Sequence, residues 1–250
     1  MQTGDPLARG LCEPGTWIGF DLETTELEPG AGIPSGITCA AAGTPDGTVG
    51  HWYGRGSDGR PTPTMGRAQA LGMLRWLRHW QQCGHRLVAW NGAGFDLQLL
   101  GVVSGCPQLA ADVMWELYDP MLQVLWQRGF PVGLARAAEG LALRVAKSMD
   151  GAQAPAAWLR GEHGAVLEYV AADVRMTIAV TEAIEARGEL RWVTRRGTVA
   201  VEPMPALRPV RELLALPTPD QSWMREPIPP DGPVAWALAQ ASLPAAVSVA

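Results

Sequence analysis

The segment Trp17-Ile18-Gly19-Phe20-Asp21-Leu22-Glu23-Thr24-Thr25 constrains the fold more than any other part of the chain. Its apolar opening has the composition of a buried strand. Asp21 and Glu23 stand at i and i+2. Side chains alternate between the faces of a strand, so both carboxylates leave the same face and Leu22 points into a core on the other. The pair sits at the strand's end, where Thr24-Thr25 begins a turn.

Two further acidic motifs follow in order. Asn91-Gly92-Ala93-Gly94-Phe95-Asp96 comes directly after the apolar run Leu87-Val88-Ala89-Trp90, and Tyr169-Val170-Ala171-Ala172-Asp173 lies within a helical pattern. Read singly, each has an ordinary explanation: a solvated Asp-x-Glu, a turn at Asn91-Gly92, a surface pair on a helix. Read together, they place four carboxylates on three elements that a fold can bring to one point. Hard divalent cations such as Mg²⁺ and Mn²⁺ favour carboxylate and water oxygen. Two of them about 3.5–4 Å apart suit in-line displacement at a phosphodiester. Asp21, Glu23, Asp96 and Asp173 supply the ligand set for two such cations. Tyr169 and Asp173, at i and i+4, share a helix face. The phenol, with an ordinary pKa of about 10, suits the orientation of a water better than outright base catalysis.

On these motifs the chain resembles the DnaQ-like 3′–5′ exonucleases of the ribonuclease H-like superfamily, over roughly residues 15–188. In that superfamily the third motif carries either a histidine five residues before its final Asp, a position held here by Glu168, or a tyrosine four residues before it, which is Tyr169. The resemblance is therefore to the tyrosine (DEDD) branch. It implies that Asp21, Glu23, Asp96 and Asp173 are metal ligands and that Tyr169 positions the nucleophilic water. It further implies that Leu22, Thr24, Asn91 and Phe95 lie against the terminal nucleotide. The expected substrate is a single-stranded DNA or RNA 3′ end, released as nucleoside 5′-monophosphates. Two other readings stay open: a structure-specific endonuclease on the same fold, and a non-catalytic nucleic-acid-binding module.

The 250 residues suffice for one substantial domain with extensions, and 47% hydrophobic content provides a core. No run is long enough to span a bilayer and no N-terminal signal pattern is present, which points to the cytoplasm. Cys12, Cys39, Cys83 and Cys106 have no Cys-x-x-Cys spacing, so neither a zinc site nor a disulfide is expected. A net charge of −5 disfavours broad electrostatic binding to nucleic acid but not metal-assisted capture of an end. Lys147 is the sole lysine; arginine supplies the rest of the positive charge and suits phosphate and base contacts.

The expected fold is α/β: a ribonuclease H-like mixed sheet, an antiparallel meander followed by parallel strands, flanked by helices. Strands are predicted at Trp17–Asp21, Gly36–Ala42, Val49–Tyr53 and Arg86–Trp90, with Thr44-Pro45-Asp46-Gly47 as a hairpin turn. Helices are predicted over Thr64–Cys83, Phe95–Val103, Leu109–Gly129 (one or two), Val132–Leu141 and Glu162–Arg187. Residues 145–160 read as a loop and Leu190–Val201 as a hairpin. The division expected is an extension over 1–14, a domain over 15–201, and a Pro-rich C-terminal extension over 202–250 that packs on the core. Asp112, Glu116 and Asp119 read as caps and solvated acids rather than extra ligands. Arg144, Lys147, Arg160 and Arg175 are candidate phosphate contacts. Of the eleven tryptophans, Trp158 in the 145–160 loop is the candidate for base stacking.

Overall fold

The computed structural model describes residues 13–26, 33–143, 149–229 and 231–241. Four strands form a mixed sheet: β1 (Trp17–Thr24), β2 (Ile37–Gly43), β3 (Val49–Tyr53) and β4 (Arg86–Val88), in the order β3-β2-β1-β4. The first three form an antiparallel meander, and β4 runs parallel to β1. Beyond β4 a single residue, Tyr118, continues the sheet: its N–H donates to the Leu87 carbonyl and its carbonyl accepts from Ala89. The expected run of parallel strands is thus one parallel strand and a one-residue bridge among the described residues.

The helices are α1 (Arg67–Gln82), α2 (Leu97–Ser104), α3 (Pro107–Trp115), α4 (Pro120–Arg128), α5 (Leu134–Gly140), α6 (Ala154–Leu159), α7 (His163–Arg187), α8 (Val210–Leu213) and α9 (Ala235–Ala241). A hairpin of β5 (Glu189–Val193) and β6 (Val199–Pro203) turns at Arg195-Arg196-Gly197.

The pleat of β1 separates two environments. Ile18, Phe20 and Leu22 enter the main core with Leu74 and Leu77 of α1 and Leu97 and Leu100 of α2. Gly19, Asp21 and Glu23 face the other way, toward α7. Cross-strand partners on that face are Gly43, Ala41 and Cys39 of β2. All are small, and the reason is steric. A Cβ on Gly19 would lie 2.7 Å from Ile178 Cγ1, and one on Gly43 would lie 3.1 Å from Val174 Cγ1. Small residues here let α7 lie close on the sheet. That helix is buried along two stripes: Val166, Val170, Val174 and Ile178 toward the sheet, Met176, Val180 and Ile184 toward α5 and β5.

Three expectations change. Strand β1 runs on to Thr24, so the acids lie inside it. The 145–160 segment is not all loop: a 3₁₀ turn at Gly151–Gln153 leads into α6, with Pro155 in its first turn, where a missing N–H does no harm. Trp158 therefore sits on a helix, 1% exposed, and donates its indole N–H to the Thr62 carbonyl. It is core, with no face for a base. Arg144 and Lys147 lie outside the described residues, as do residues 1–12 and 242–250.

The C-terminal segment packs on the main core through Val210, Leu213, Val234 and Ala237. No helix of the described residues is long and apolar enough to cross a membrane.

Candidate metal centre

Strand β1 and helix α7 build the centre. Asp21, Glu23 and Asp173 each bring a carboxylate oxygen within 4.8 Å of the others. Among the described residues no other His, Cys, Asp and Glu group of three or more is placed to hold a metal ion. The β1–β2 ladder slips between Glu23 and Thr24, leaving Thr38 without a cross-strand partner. Such bulges re-aim side chains next to sites.

Asp96 lies outside that triangle but against it. Its charge weighs more on Asp21 than those of Glu23 or Asp173. Burial first, then these three carboxylates, hold the Asp21 carboxyl well above the usual carboxylate range. Asp96 is 3% exposed, and its Oδ1 has no hydrogen-bond partner among the described residues. Burial pushes its carboxyl up to about 7, opposed by backbone N–H groups that include that of Leu22. A cluster of buried and half-buried acids, with the Asp21 and Asp96 carboxyls raised and an orphaned oxygen on Asp96, is short of positive charge. Divalent cations fit that deficit and that donor set.

Tyr169 is buried, and its hydroxyl hydrogen-bonds Asp173. Burial, then the charges of Asp173 and Glu23, hold the phenol above its ordinary value. It is a neutral donor. Gly151 closes over it: a Cβ there would stand 3.1 Å from the hydroxyl oxygen. The Gly151→Ala variant is expected to displace the hydroxyl by a few tenths of an ångström. Any hydrolytic kcat should fall about tenfold with an unchanged melting temperature. An unchanged kcat would remove Gly151 from the site.

The second motif is held by a carboxylate whose sequence position signals only a helix cap. Asp119 does cap α4, accepting from the N–H groups of Met121 and Leu122 at 3.1 Å. It also reaches across to the Asn91 N–H with Oδ1 and the Ala93 N–H with Oδ2, both at 3.1 Å. Asn91 has φ 68°, the left-handed region, which Asn tolerates better than most residues. From it springs a π-helical turn, Gly92–Asp96, in which the Leu97 N–H reaches the Gly92 carbonyl five residues back. Single π turns of this kind recur at functional sites. Gly92 is obligatory, since a Cβ would lie 2.4 Å from that of Ala89. The outer side of the turn is covered by the C-terminal segment, where the Trp236 indole N–H donates to the Ala93 carbonyl at 2.8 Å.

Burial raises the Asp119 carboxyl to about 6. Asp119→Ala leaves buried N–H groups without acceptors and is expected to cost about 3–5 kcal/mol, read as a fall in melting temperature. Asp119→Asn keeps an oxygen for three of the four donors and turns an amide toward Ala93. It should lower kcat far more than stability. Equal, small effects of both variants would show that Asp119 does not position the turn.

The remaining candidates divide. The Leu22 side chain belongs to the main core, and Phe95 packs against it. Thr24 is half-buried at the end of β1. Arg160 pairs with Glu162 and Arg175 with Glu168, both at 2.8 Å. Asp112 accepts from Gln108, and Glu116 pairs with Arg211. The reach of Asp119 to motif two has no local sequence signal, and neither does the closeness of Gly151 to Tyr169. The Asp119-Pro120 step marks a helix start and nothing more.

No protein-family model matches the chain, and no curated protein matches it. Solved structures similar at low identity include a DNA polymerase and an exonuclease. One is the family B DNA polymerase from the hyperthermophilic archaeon Pyrobaculum calidifontis: TM-score 0.49, 19% identity, 69% of this chain and 25% of that chain. The other is a product-bound exonuclease I: TM-score 0.43, 14% identity, 70% of this chain and 44% of that chain. The chain thus spans less than half the length of either.

Proposed function

We propose that this chain is a metal-dependent nuclease with a ribonuclease H-like fold of the DnaQ-like, tyrosine-branch type. Its proposed reaction is 3′–5′ exonucleolytic: hydrolysis of phosphodiester bonds at single-stranded DNA or RNA 3′ ends, releasing nucleoside 5′-monophosphates. One observation carries the reading. Three carboxylates from β1 and α7 converge within 4.8 Å, and a fourth, Asp96, stands against them with an unpartnered buried oxygen.

Asp21, Glu23, Asp96 and Asp173 would hold two divalent cations, Mg²⁺ or Mn²⁺. When bound, such ions offset the charge of the attacking and leaving oxygens in an in-line displacement. The chain's own residues do the rest. Tyr169 keeps its proton and donates it to Asp173, so its fixed oxygen orients a water by accepting from it rather than by deprotonating it. The Asp119 carboxylate holds the π turn by the Asn91 and Ala93 N–H groups, which keeps Asp96 beside the other acids. Thr24, Asn91 and Phe95 are the proposed neighbours of the terminal nucleotide; Leu22, whose side chain lies in the main core, would meet it through its backbone alone.

The test is digestion of 5′-labelled single-stranded DNA and RNA with Mg²⁺ or Mn²⁺, beside circular and 3′-blocked strands. A ladder shortening from the 3′ end, abolished by EDTA and absent from circles, is the expected result. Cleaved circles would convert the reading to an endonuclease. No cleavage with either metal would leave a binding module.

A further inference from the structure

On the hairpin side of the molecule, the α4–α5 connection, β5 and the C-terminal segment enclose an open groove of about 730 Å³. Three aromatic rings line it in series. Phe130 meets Trp192 edge-on at 6.2 Å and Trp223 edge-on at 6.1 Å. Trp223 is 63% exposed yet anchored, because its indole N–H donates to the Asp220 carbonyl and the adjacent Gln221 side chain donates to the Gly129 carbonyl. Arg136 and Arg195 also line the groove, and no lining residue is acidic. Arg136 is pinned to the hairpin by bonds from Nη1 to the Val193 and Thr194 carbonyls. Arg195, at the hairpin tip, is exposed and makes no ion pair among the described residues.

One exposed ring, Trp223, backed by half-buried Phe130 and buried Trp192 and set beside two guanidinium groups without a carboxylate partner among the described residues, forms an unusual surface for a chain of net charge −5. Rings stack on unpaired bases and arginines meet phosphates, which together grip a single strand without reading its sequence. The groove also adjoins motif two. Val132 lines it, and the Val132 carbonyl accepts from the indole of Trp90, the residue before Asn91.

From this juxtaposition we infer that the groove is a second contact site for single-stranded nucleic acid, holding nucleotides of the strand whose 3′ end occupies the acidic centre. The identity of the strand rests on the nuclease reading; the aromatic and basic character of the groove does not.

The test uses the full chain and a fluorescent oligothymidylate of about fifteen nucleotides, with Ca²⁺ in place of the catalytic metal. Fluorescence anisotropy gives affinity across a salt series. Trp223→Ala combined with Arg195→Ala should weaken binding about tenfold or more, and Arg195→Ala alone should reduce the salt slope by about one. In cleavage assays the same loss should appear in KM for long strands rather than in kcat. Unchanged affinity and salt slope in a variant that melts like the parent overturns the inference while leaving the nuclease reading intact. Groove-dependent binding by a chain that cleaves nothing would support the groove and sink the nuclease reading. Binding of an oligopeptide but not the oligonucleotide would assign the groove to a protein partner and overturn the inference.

Discussion

Replacing Asp173 with Asn should reduce hydrolysis of labelled strands by at least about 10³-fold while leaving the protein folded. The reasoning starts from charge. Asp173 shares the triangle with Asp21 and Glu23, and an amide there offers one neutral oxygen to a cation that needs charged ones. Loss of a group that stabilises developing charge typically costs about 10²–10³, and loss of a metal ligand costs more because the ion itself is weakened. The same substitution removes one of the charges that raise Asp21. The metal-free variant should therefore melt no lower than the parent at pH 8, and each kcal/mol of relieved repulsion should add roughly 2–4 °C. Activity within tenfold of the parent, in a variant that melts normally, would remove Asp173 from the chemistry.

The second large effect is the dependence of stability on pH and metal. Asp96 rises from an ordinary 3.8 to about 7, chiefly through burial, and Asp21 also rises. Between about pH 4 and pH 7 the folded chain thus holds protons that the unfolded chain has released. Stability then falls as pH rises through this window and stays low above it. Asp119, raised to about 6, acts in the same direction. The Asp96 shift alone corresponds to a few kcal/mol, since each pKa unit is about 1.4 kcal/mol. Without metal, the melting temperature should therefore be about 10 °C higher near pH 5 than near pH 8. Millimolar Mg²⁺ or Mn²⁺ should recover much of the difference at pH 8, because binding to the folded state alone adds stability, and should do little at pH 5, where protons compete. A melting temperature that rises with pH in EDTA, or ignores Mn²⁺ at pH 8, would mean the acids do not share a cation site.

Much of this was legible in the sequence because period-two and helical patterns coincide with burial. The meander needed only short apolar stretches separated by Gly/Pro-rich turns such as Thr44-Pro45-Asp46-Gly47. The long helix of Tyr169 and Asp173 needed only its periodicity and the following Gly188. What stayed hidden depended on contacts between distant segments. Tyr118 extends the sheet as one residue, too short for any pattern. Asn91-Gly92 looks like a plain turn, since nothing local announces that Asp119 will grip it or that the next turn will widen to π. Around Trp158 the Ala, Gly and Pro content suggests a loop, although Pro155 in a first turn is compatible with the helix that forms.

The sheet surface beneath α7 has one more consequence. What sets the gap between the acids of the strand and the acid of the helix is an absence of side-chain volume at residues 19, 41 and 43. A single methyl group added at Gly19 would act as a shim, tilting the helix away and pulling Asp173 from Asp21 without altering either one. The working part of this centre therefore includes positions that carry no functional group, and any redesign that preserves only the acids would keep their identity and lose their spacing.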